Sequence, residues 1–284
     1  MLASLVGKQV LAQGGQARIY AWAPGLILRY PLSPPEYERL EYEYHIYEVL
    51  KGRLPLPRAE KLLYFDERPC LVLERIEAPT LAQVGAKNWL GLWKTPKTLA
   101  EIHQTVFVPV DQTVKSQRQK AEYCLQNSEV LERSQKEKLL RLLDSLPEES
   151  TLCHGDFHPE NILAGNKGYV LIDWSSATRG SPLADIANTA LLMINLPYFS
   201  SVNRRTYERN RRVTRFIGKR YVRHIARALG LDLKELGKYF LVSAGERTYY
   251  GQDEEKAQLK NFLDKHLDGA SWNILRLSDK DFTA

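Results

Sequence analysis

His154-Gly155-Asp156-Phe157-His158-Pro159-Glu160-Asn161-Ile162-Leu163 is the densest chemical signal in the sequence, and Leu171-Ile172-Asp173-Trp174 begins ten residues after Asn161. Two carboxylates and an amide fall on short apolar strands and the loop that joins them. Oxygen donors of that kind suit a hard cation such as Mg²⁺, with phosphate oxygens completing an octahedron. Asp156 precedes Asn161 by five residues, across a turn that contains Pro159. Such a loop can aim one carboxylate at a substrate hydroxyl while the amide turns toward metal. Phosphoryl transfer asks little more of side chains than positioning, charge neutralisation and a base.

Upstream of this stretch the pattern is strand-rich. Lys8 to Gln13, the turn Gly14-Gly15-Gln16, and Ala17 to Trp22 read as strand, turn, strand. Leu26-Ile27-Leu28-Arg29-Tyr30 is a third strand, stopped by Pro31. From Pro35 to Gly52, Leu40, Ile46, Tyr47 and Leu50 recur at helical spacing, with prolines before and a glycine after. Lys61 to Phe65 and Cys70 to Glu74, joined by the turn Asp66-Glu67-Arg68-Pro69, form a hairpin. Beyond Glu74 helical patterns run over 97–106, 115–126 and 128–145, the last with Ser128 as its N-cap. A small β cluster follows over 152–154, 161–164 and 169–172, and helices return from Pro182. The expected fold is α+β.

Composition narrows the class. A 44% apolar and 26% charged chain of 284 residues is a globular protein, not a disordered one. No apolar run is long enough to span a membrane, and Lys8 interrupts the N-terminal apolar stretch too early for a signal peptide. Three cysteines, Cys70, Cys124 and Cys153, have no paired spacing, so neither a disulfide framework nor a zinc ribbon is expected. The chain reads as cytoplasmic, with no membrane partner. Trp22, Trp89, Trp93 and Trp272 read as packing residues.

His-Gly-Asp-x-x-x-x-Asn followed by Ile-Asp-Trp, with Gly180-Ser181-Pro182-Leu183-Ala184-Asp185 beyond, resembles the catalytic core of the aminoglycoside phosphotransferase and choline kinase family. That family is similar in fold to protein kinases, whose catalytic loop has a related pattern. The resemblance implies a bilobal protein-kinase-like fold. A small antiparallel-sheet lobe over 1–77 would bind nucleotide, and a larger, mainly helical lobe over 78–284 would carry catalysis and the acceptor. It further implies ATP and Mg²⁺ as cofactors and a small-molecule hydroxyl as acceptor. Asp156 resembles the base, Asn161 and Asp173 the metal ligands, and His154 and Asp185 the braces of the catalytic loop. His103 matches a structural helix position. His158 falls where protein kinases carry a catalytic-loop lysine.

Gly14 and Gly15 fall where a phosphate-covering loop would lie. Arg29 stands where kinases place a lysine on the α and β phosphates, a departure that keeps the charge and permits bidentate contact. Its expected partner is Glu43, with Glu36, Glu38, Glu41 and Glu48 as competitors on the same helix. Backbone groups near Glu74 and Ile76 would meet adenine. Resemblance does not name the acceptor, since family members phosphorylate aminoglycosides, choline, homoserine, methylthioribose and sugar amines.

Three readings compete. A small-molecule kinase fits all the motifs. A protein kinase proper would show Asp-Phe-Gly and Ala-Pro-Glu, and here Gly180 follows Asp173 too closely for an activation loop. A binding module, either a pseudokinase or a nucleic-acid binder, would use the stretch from Arg204 to Arg227. That stretch holds ten basic side chains and one acid, Glu208. Removing its +9 from the total of +6 leaves the remaining chain at −3. Nucleic acid is not the expected partner. Val213, Phe216, Ile217, Tyr221 and Ile225 would be the buried face, with Arg212, Arg215, Lys219, Arg223 and Arg227 on another. If that second face looks into the acceptor cleft, the acceptor is neutral or anionic; if outward, it is a solvated surface or an anionic-partner site.

Overall fold

The computed structural model describes residues 7–65, 67–165, 168–195, 203–269 and 273–283. Asp66 of the expected turn and Trp272 lie outside the described residues. The chain divides into two compact units: one runs to Val84 and includes Pro159–Ala177, the other takes Gly85–His158 and Thr178–Ala284.

The first unit is built on a five-stranded antiparallel sheet in the order β1-β2-β3-β5-β4. Its strands are β1 (Val10–Gln13), β2 (Ala17–Ala23), β3 (Leu26–Pro31), β4 (Ala59–Phe65) and β5 (Arg68–Glu74), with helix α1 (Pro35–Leu50) between β3 and β4. Gly14 N–H donates to the Ala17 carbonyl at 3.0 Å, closing the turn between β1 and β2. Strand periodicity sends alternate residues of β3 to opposite faces. Leu28 joins Tyr20, Cys70 and Val72 in one small core, with Trp22, Leu26 and Tyr30 packed against it. Arg29 therefore falls on the other face, and there it meets α1. On that helix Leu40, Glu43, Tyr47 and Leu50 form a buried stripe at three- and four-residue steps. Strands β7 (Ile162–Gly165) and β8 (Gly168–Leu171) make a hairpin in the same unit. It is stitched in by Leu171 N–H to the Pro55 carbonyl and Ala164 N–H to the Pro79 carbonyl, both 2.8 Å.

The short helix α2 (Leu81–Ala86) carries the chain into the second unit. There α3 (Trp89–Val106), α4 (Gln117–Asn127) and α5 (Arg133–Ser145) precede β6 (Thr151–Cys153), which pairs antiparallel with β9 (Thr178–Gly180). Four helices follow: α6 (Pro182–Ile194), α7 (Arg204–Leu229), α8 (Leu233–Tyr250) and α9 (Asp253–His266). Helices α6 and α8 are buried along most of their length. Gly218 lets α7 cross α6 closely, because a Cβ there would sit 2.8 Å from Met193 Cβ. Cys70, Cys124 and Cys153 are free and buried.

Two local expectations are corrected, and one strand is added. Helix α3 begins at Trp89, not near 97, and runs through Pro96. A proline inside a helix removes one N–H, yet packing of the buried Thr95, Leu99 and Ile102 carries the helix across it. Helix α5 begins after Glu132, whose side chain and Gln135 form a capping box, while Ser128 ends α4 and hydrogen-bonds Thr248 at 2.8 Å. Strand β9, three residues containing glycine, had no signature in the sequence.

Candidate active site

In the first unit, Arg29 Nη1 donates to Glu43 Oε1 at 2.5 Å, and Arg29 Nη2 lies 3.6 Å from Asp173 Oδ1. The competing glutamates of α1 are engaged elsewhere or exposed: Glu36 pairs with Arg39, Glu41 accepts from Tyr64, and Glu38 and Glu48 face solvent. Glu43 alone is fully buried, and burial raises its pKa to about 7 against the pull of Arg29. Burial also works against the Arg29 charge, but Glu43 and Asp173 outweigh it and raise the guanidinium pKa. The guanidinium thus stays charged, with one arm held by a buried carboxyl and the other beside Asp173.

Asp173 has φ 64°, a left-handed conformation that costs a non-glycine residue roughly 1–3 kcal/mol. Its neighbours impose it. Leu171 is tied to Pro55, and Trp174 is fully buried with its indole N–H on the Leu171 carbonyl at 3.3 Å. Ala177 N–H then closes onto the Trp174 carbonyl at 3.0 Å. Backbone strain held this firmly collects at functional sites. Asn161 ends a 3-10 turn (Pro159–Asn161) that leads into β7, and its carbonyl accepts from Ile172 N–H at 3.1 Å. That bond brings the two residues expected to hold metal onto adjacent ends of one hairpin.

Gly14 and Gly15 occupy the β1–β2 turn, where a Cβ on Gly15 would meet nothing within 4 Å. Glu74 ends β5, and its carboxylate accepts from Arg58 N–H at 3.2 Å. Ile76 follows two residues on, half-buried, after Arg75 N–H has bonded the Gly25 carbonyl at 2.8 Å.

In the second unit, Asp156 follows β6 on a loop opened by Gly155, whose φ of 76° suits glycine. The loop is clamped from both sides. The carboxylate of Asp185, in the first turn of α6, accepts from His154 N–H at 2.6 Å and Gly155 N–H at 2.9 Å. His103 Nε2 contacts the same carboxylate at 3.0 Å, and its Nδ1 lies 2.6 Å from the Tyr221 hydroxyl. Asn188 donates to the Gly155 carbonyl at 2.7 Å. The His103 ring stacks on Phe157, with centroids 3.9 Å apart. Asp185, with His103 behind it, thus braces the loop, and the backbone of His154 is one of the groups it holds.

Burial alone would raise the pKa of Asp156. His158, with Nε2 3.6 Å from Asp156 Oδ2, together with His154 and Arg247, brings it down to about 2. Sequence reasoning missed Arg247. It sits on α8 with Nε donating to the buried Glu255 at 2.6 Å, and its guanidinium lies over the Tyr250 ring. One sequence signal could have flagged it: Glu246 and Arg247 end the uncharged run 239–245 of α8, which is buried throughout.

The chain is similar to several known proteins. It is 26% identical over 205 residues to acyl-CoA dehydrogenase family member 11 of Gallus gallus, a match over 62% of this chain and 25% of that protein. The chain therefore spans about a quarter of that relative's length. Among solved structures, the apo form of a thermostable mutant of aminoglycoside phosphotransferase APH(4)-Ia matches with a TM-score of 0.63 at 17% identity, over 92% of this chain and 96% of that one. A further variant of the same enzyme, in ternary complex with ADP and hygromycin B, matches with a TM-score of 0.64 at 16% identity, over 93% and 95%. The GDP and kanamycin complex of APH(2")-IIia gives 0.56 at 14%, over 94% and 92%. These likenesses establish the bilobal, kinase-like α+β fold. The model of the phosphotransferase enzyme family matches residues 10–229, well over half of the sequence, and the chain belongs to that family.

Proposed function

We propose that this phosphotransferase moves the γ-phosphate of ATP, with Mg²⁺, to a hydroxyl of a small molecule, with Asp156 as the base. The observation that carries the reading is the Arg29 guanidinium, anchored by buried Glu43 and aimed beside Asp173. That arrangement keeps one fixed positive charge next to a carboxylate, as a site for a metal-bound polyphosphate requires. The proposed nucleotide groups Gly14, Gly15, Arg29, Glu43, Glu74 and Ile76 fall within 1–77. Asp156, Asn161 and Asp173 fall within 78–284. ADP and GDP in the solved relatives support a purine nucleotide as donor.

Asn161 and Asp173 suit Mg²⁺ by donor type, one neutral and one anionic oxygen. Among the described residues no group of three or more His, Cys, Asp or Glu is placed to hold a metal ion. A cation on Asn161 and Asp173 thus depends on phosphate oxygens and water, as Mg²⁺ bound with nucleotide does. Bound there, it would neutralise charge on the phosphates. Asp156 would take the acceptor's hydroxyl proton on a carboxylate oxygen, and Arg29 would hold phosphate oxygens. Asp173→Ala should raise the Mg²⁺ concentration for half-maximal activity by at least about tenfold, the lower end of what lost support costs a metal site. Asn161→Ala, losing a neutral ligand, should shift it less. An unchanged Mg²⁺ titration for Asp173→Ala would remove Asp173 from the metal site.

The acceptor should be neutral or anionic. Glu246 and Glu255 are buried and already committed, to Lys120 at 2.8 Å and Arg247 at 2.6 Å. Arg247 is close enough to Asp156 to lower its pKa. A polycation would meet a positive group beside the base instead of free carboxylates. Kanamycin-like compounds are therefore expected to be poor acceptors in a panel screened with ATP and Mg²⁺. Saturable phosphorylation of a tetra-amine aminoglycoside at micromolar concentration would show the opposite. The same panel tests the function itself, because a chain that binds nucleotide yet transfers phosphate to no hydroxyl would be a pseudokinase.

A further inference from the structure

Helix α7 spans 26 residues, about 39 Å at 1.5 Å per residue. At about 100° per residue, Arg205, Arg209, Arg212, Arg220, Arg223 and Arg227 all project within about 40° of Phe216. The opposite side, with Tyr207, Ile217, Tyr221, Val222 and Ile225, is buried. The expected buried face is thus corrected at Val213 and Phe216, which are half-buried. The expected basic face divides. Arg215 turns inward to Asp279 and the Ile194 carbonyl, while Arg212, Arg223 and Arg227 face solvent with Arg205 and Arg209. Among the described residues none of those five exposed arginines has an ion-pair partner. Glu208 is taken by Arg211 and Glu101 by Lys97.

Beside this stripe lies an exposed aromatic knob. Trp89 is 69% exposed, Leu90 59% and Trp93 43%. Phe216 packs against both indoles, with centroids 6.3 and 5.9 Å away, and the Arg220 guanidinium covers Trp93 at 3.7 Å. The sequence reading of these tryptophans as packing residues holds for one side only, because the knob also presents apolar surface to water.

We propose that this face docks on an anionic phospholipid bilayer, with the arginines against headgroup phosphates and Trp89, Leu90 and Trp93 at the boundary with the acyl chains. Indoles favour that boundary, and a basic amphipathic helix adds electrostatic attraction to anionic lipid. The observations favour lipid over nucleic acid. A base-stacking platform needs an open ring face, and Trp93 is already covered by Arg220 while Phe216 fills the space beside both indoles. The neighbouring exposed aliphatic side chain, Leu90, suits hydrocarbon and has no part in reading bases. Among the described residues no helix is long and apolar enough to cross a membrane, but attachment to a surface makes no such demand. The expectation of no membrane partner rested on the lack of a spanning segment and does not bear on this face.

The test is flotation of the whole chain with vesicles of phosphatidylcholine alone and with roughly one-third phosphatidylserine. Binding is expected only to the anionic vesicles, to weaken with salt, and to shift tryptophan emission to the blue. Each arginine near an anionic surface is worth about fivefold in partitioning, so Arg223→Glu with Arg227→Glu should weaken binding by at least about twenty-five-fold. Trp89→Ser with Leu90→Ser should shrink the emission shift, leaving only what Trp93 contributes, and lower binding. Both pairs are exposed, and unchanged thermal melting will show that the variants fold. Failure to float with the anionic vesicles overturns the proposal. So does binding that survives loss of Trp89 and Leu90 undiminished, or tight binding to single-stranded RNA without binding to vesicles.

Discussion

Asp156→Asn is expected to cut phosphoryl transfer by at least about a hundredfold, the lower end of what general-base help is worth, while nucleotide still binds. The substitution keeps the shape of the side chain and removes its negative charge and its capacity to accept a proton. The loop should keep its position, because its clamps act on neighbouring backbone: Asp185 on His154 and Gly155, and Asn188 on the Gly155 carbonyl. Loss of rate can then be assigned to lost chemistry and not to a collapsed loop. Burial opposes ionisation of Asp156, yet His158, His154 and Arg247 hold its pKa near 2. The wild-type carboxylate is accordingly ionised throughout the neutral range. An acidic limb between pH 5 and 7, if one is measured, should therefore persist unchanged in slope in the residual activity of the Asn variant. A variant that retains more than half the wild-type rate would mean that another group takes the proton.

The parts of the site that were legible are those written in local pattern. Period-two alternation in β3 sets Arg29 opposite Leu28, so its face follows from the strand alone. Glu43 stands out among five glutamates only through the family resemblance, its distance to Leu50 and Pro55-Leu56-Pro57 matching that family's run, and the structure supplies the physical reason: it is the glutamate that falls in the apolar stripe of α1. What stayed hidden depends on partners distant in sequence. Arg247 matters through the charge it sets near Asp156, on a loop far upstream, and Tyr221 through its hydroxyl on His103, 118 residues away, relations that no short window contains. The left-handed backbone of Asp173 is likewise imposed by ties to Pro55 and by the burial of Trp174. Ser128 shows the same limit on a smaller scale. A serine before a helical pattern looks like an N-cap, yet its hydroxyl is taken by Thr248, 120 residues away, and Glu132 caps α5 instead.

Asp185→Ala should lower folding stability by about 3–5 kcal/mol, the usual consequence of removing one partner from a buried charged network. Asp185 is 1% exposed and receives two backbone N–H groups and His103 Nε2. Alanine would leave three donors facing a space without an acceptor, each costing up to the full desolvation of its group. It would also remove an acid from the first turn of α6, where the helix dipole favours negative charge. Burial alone would raise the Asp185 pKa, but His103, His154 and the Gly155 N–H bring it below the usual carboxylate range. A depressed carboxylate contributes stability that is fully present above its unfolded pKa of about 3.9 and is lost as pH falls through the lower folded value. The gap between wild type and variant should accordingly be constant from neutral pH down to about 5, then close in stronger acid. Urea unfolding at several pH values measures this directly, with an unchanged m-value showing that the midpoint shift reports stability. Asp185→Asn, which keeps one acceptor oxygen but turns an amide N–H₂ toward a donor, should fall between the two. A loss below about 1 kcal/mol for the alanine variant, no more than one ordinary hydrogen bond, would mean that the loop is held by Asn188 and the Phe157 stack without its carboxylate.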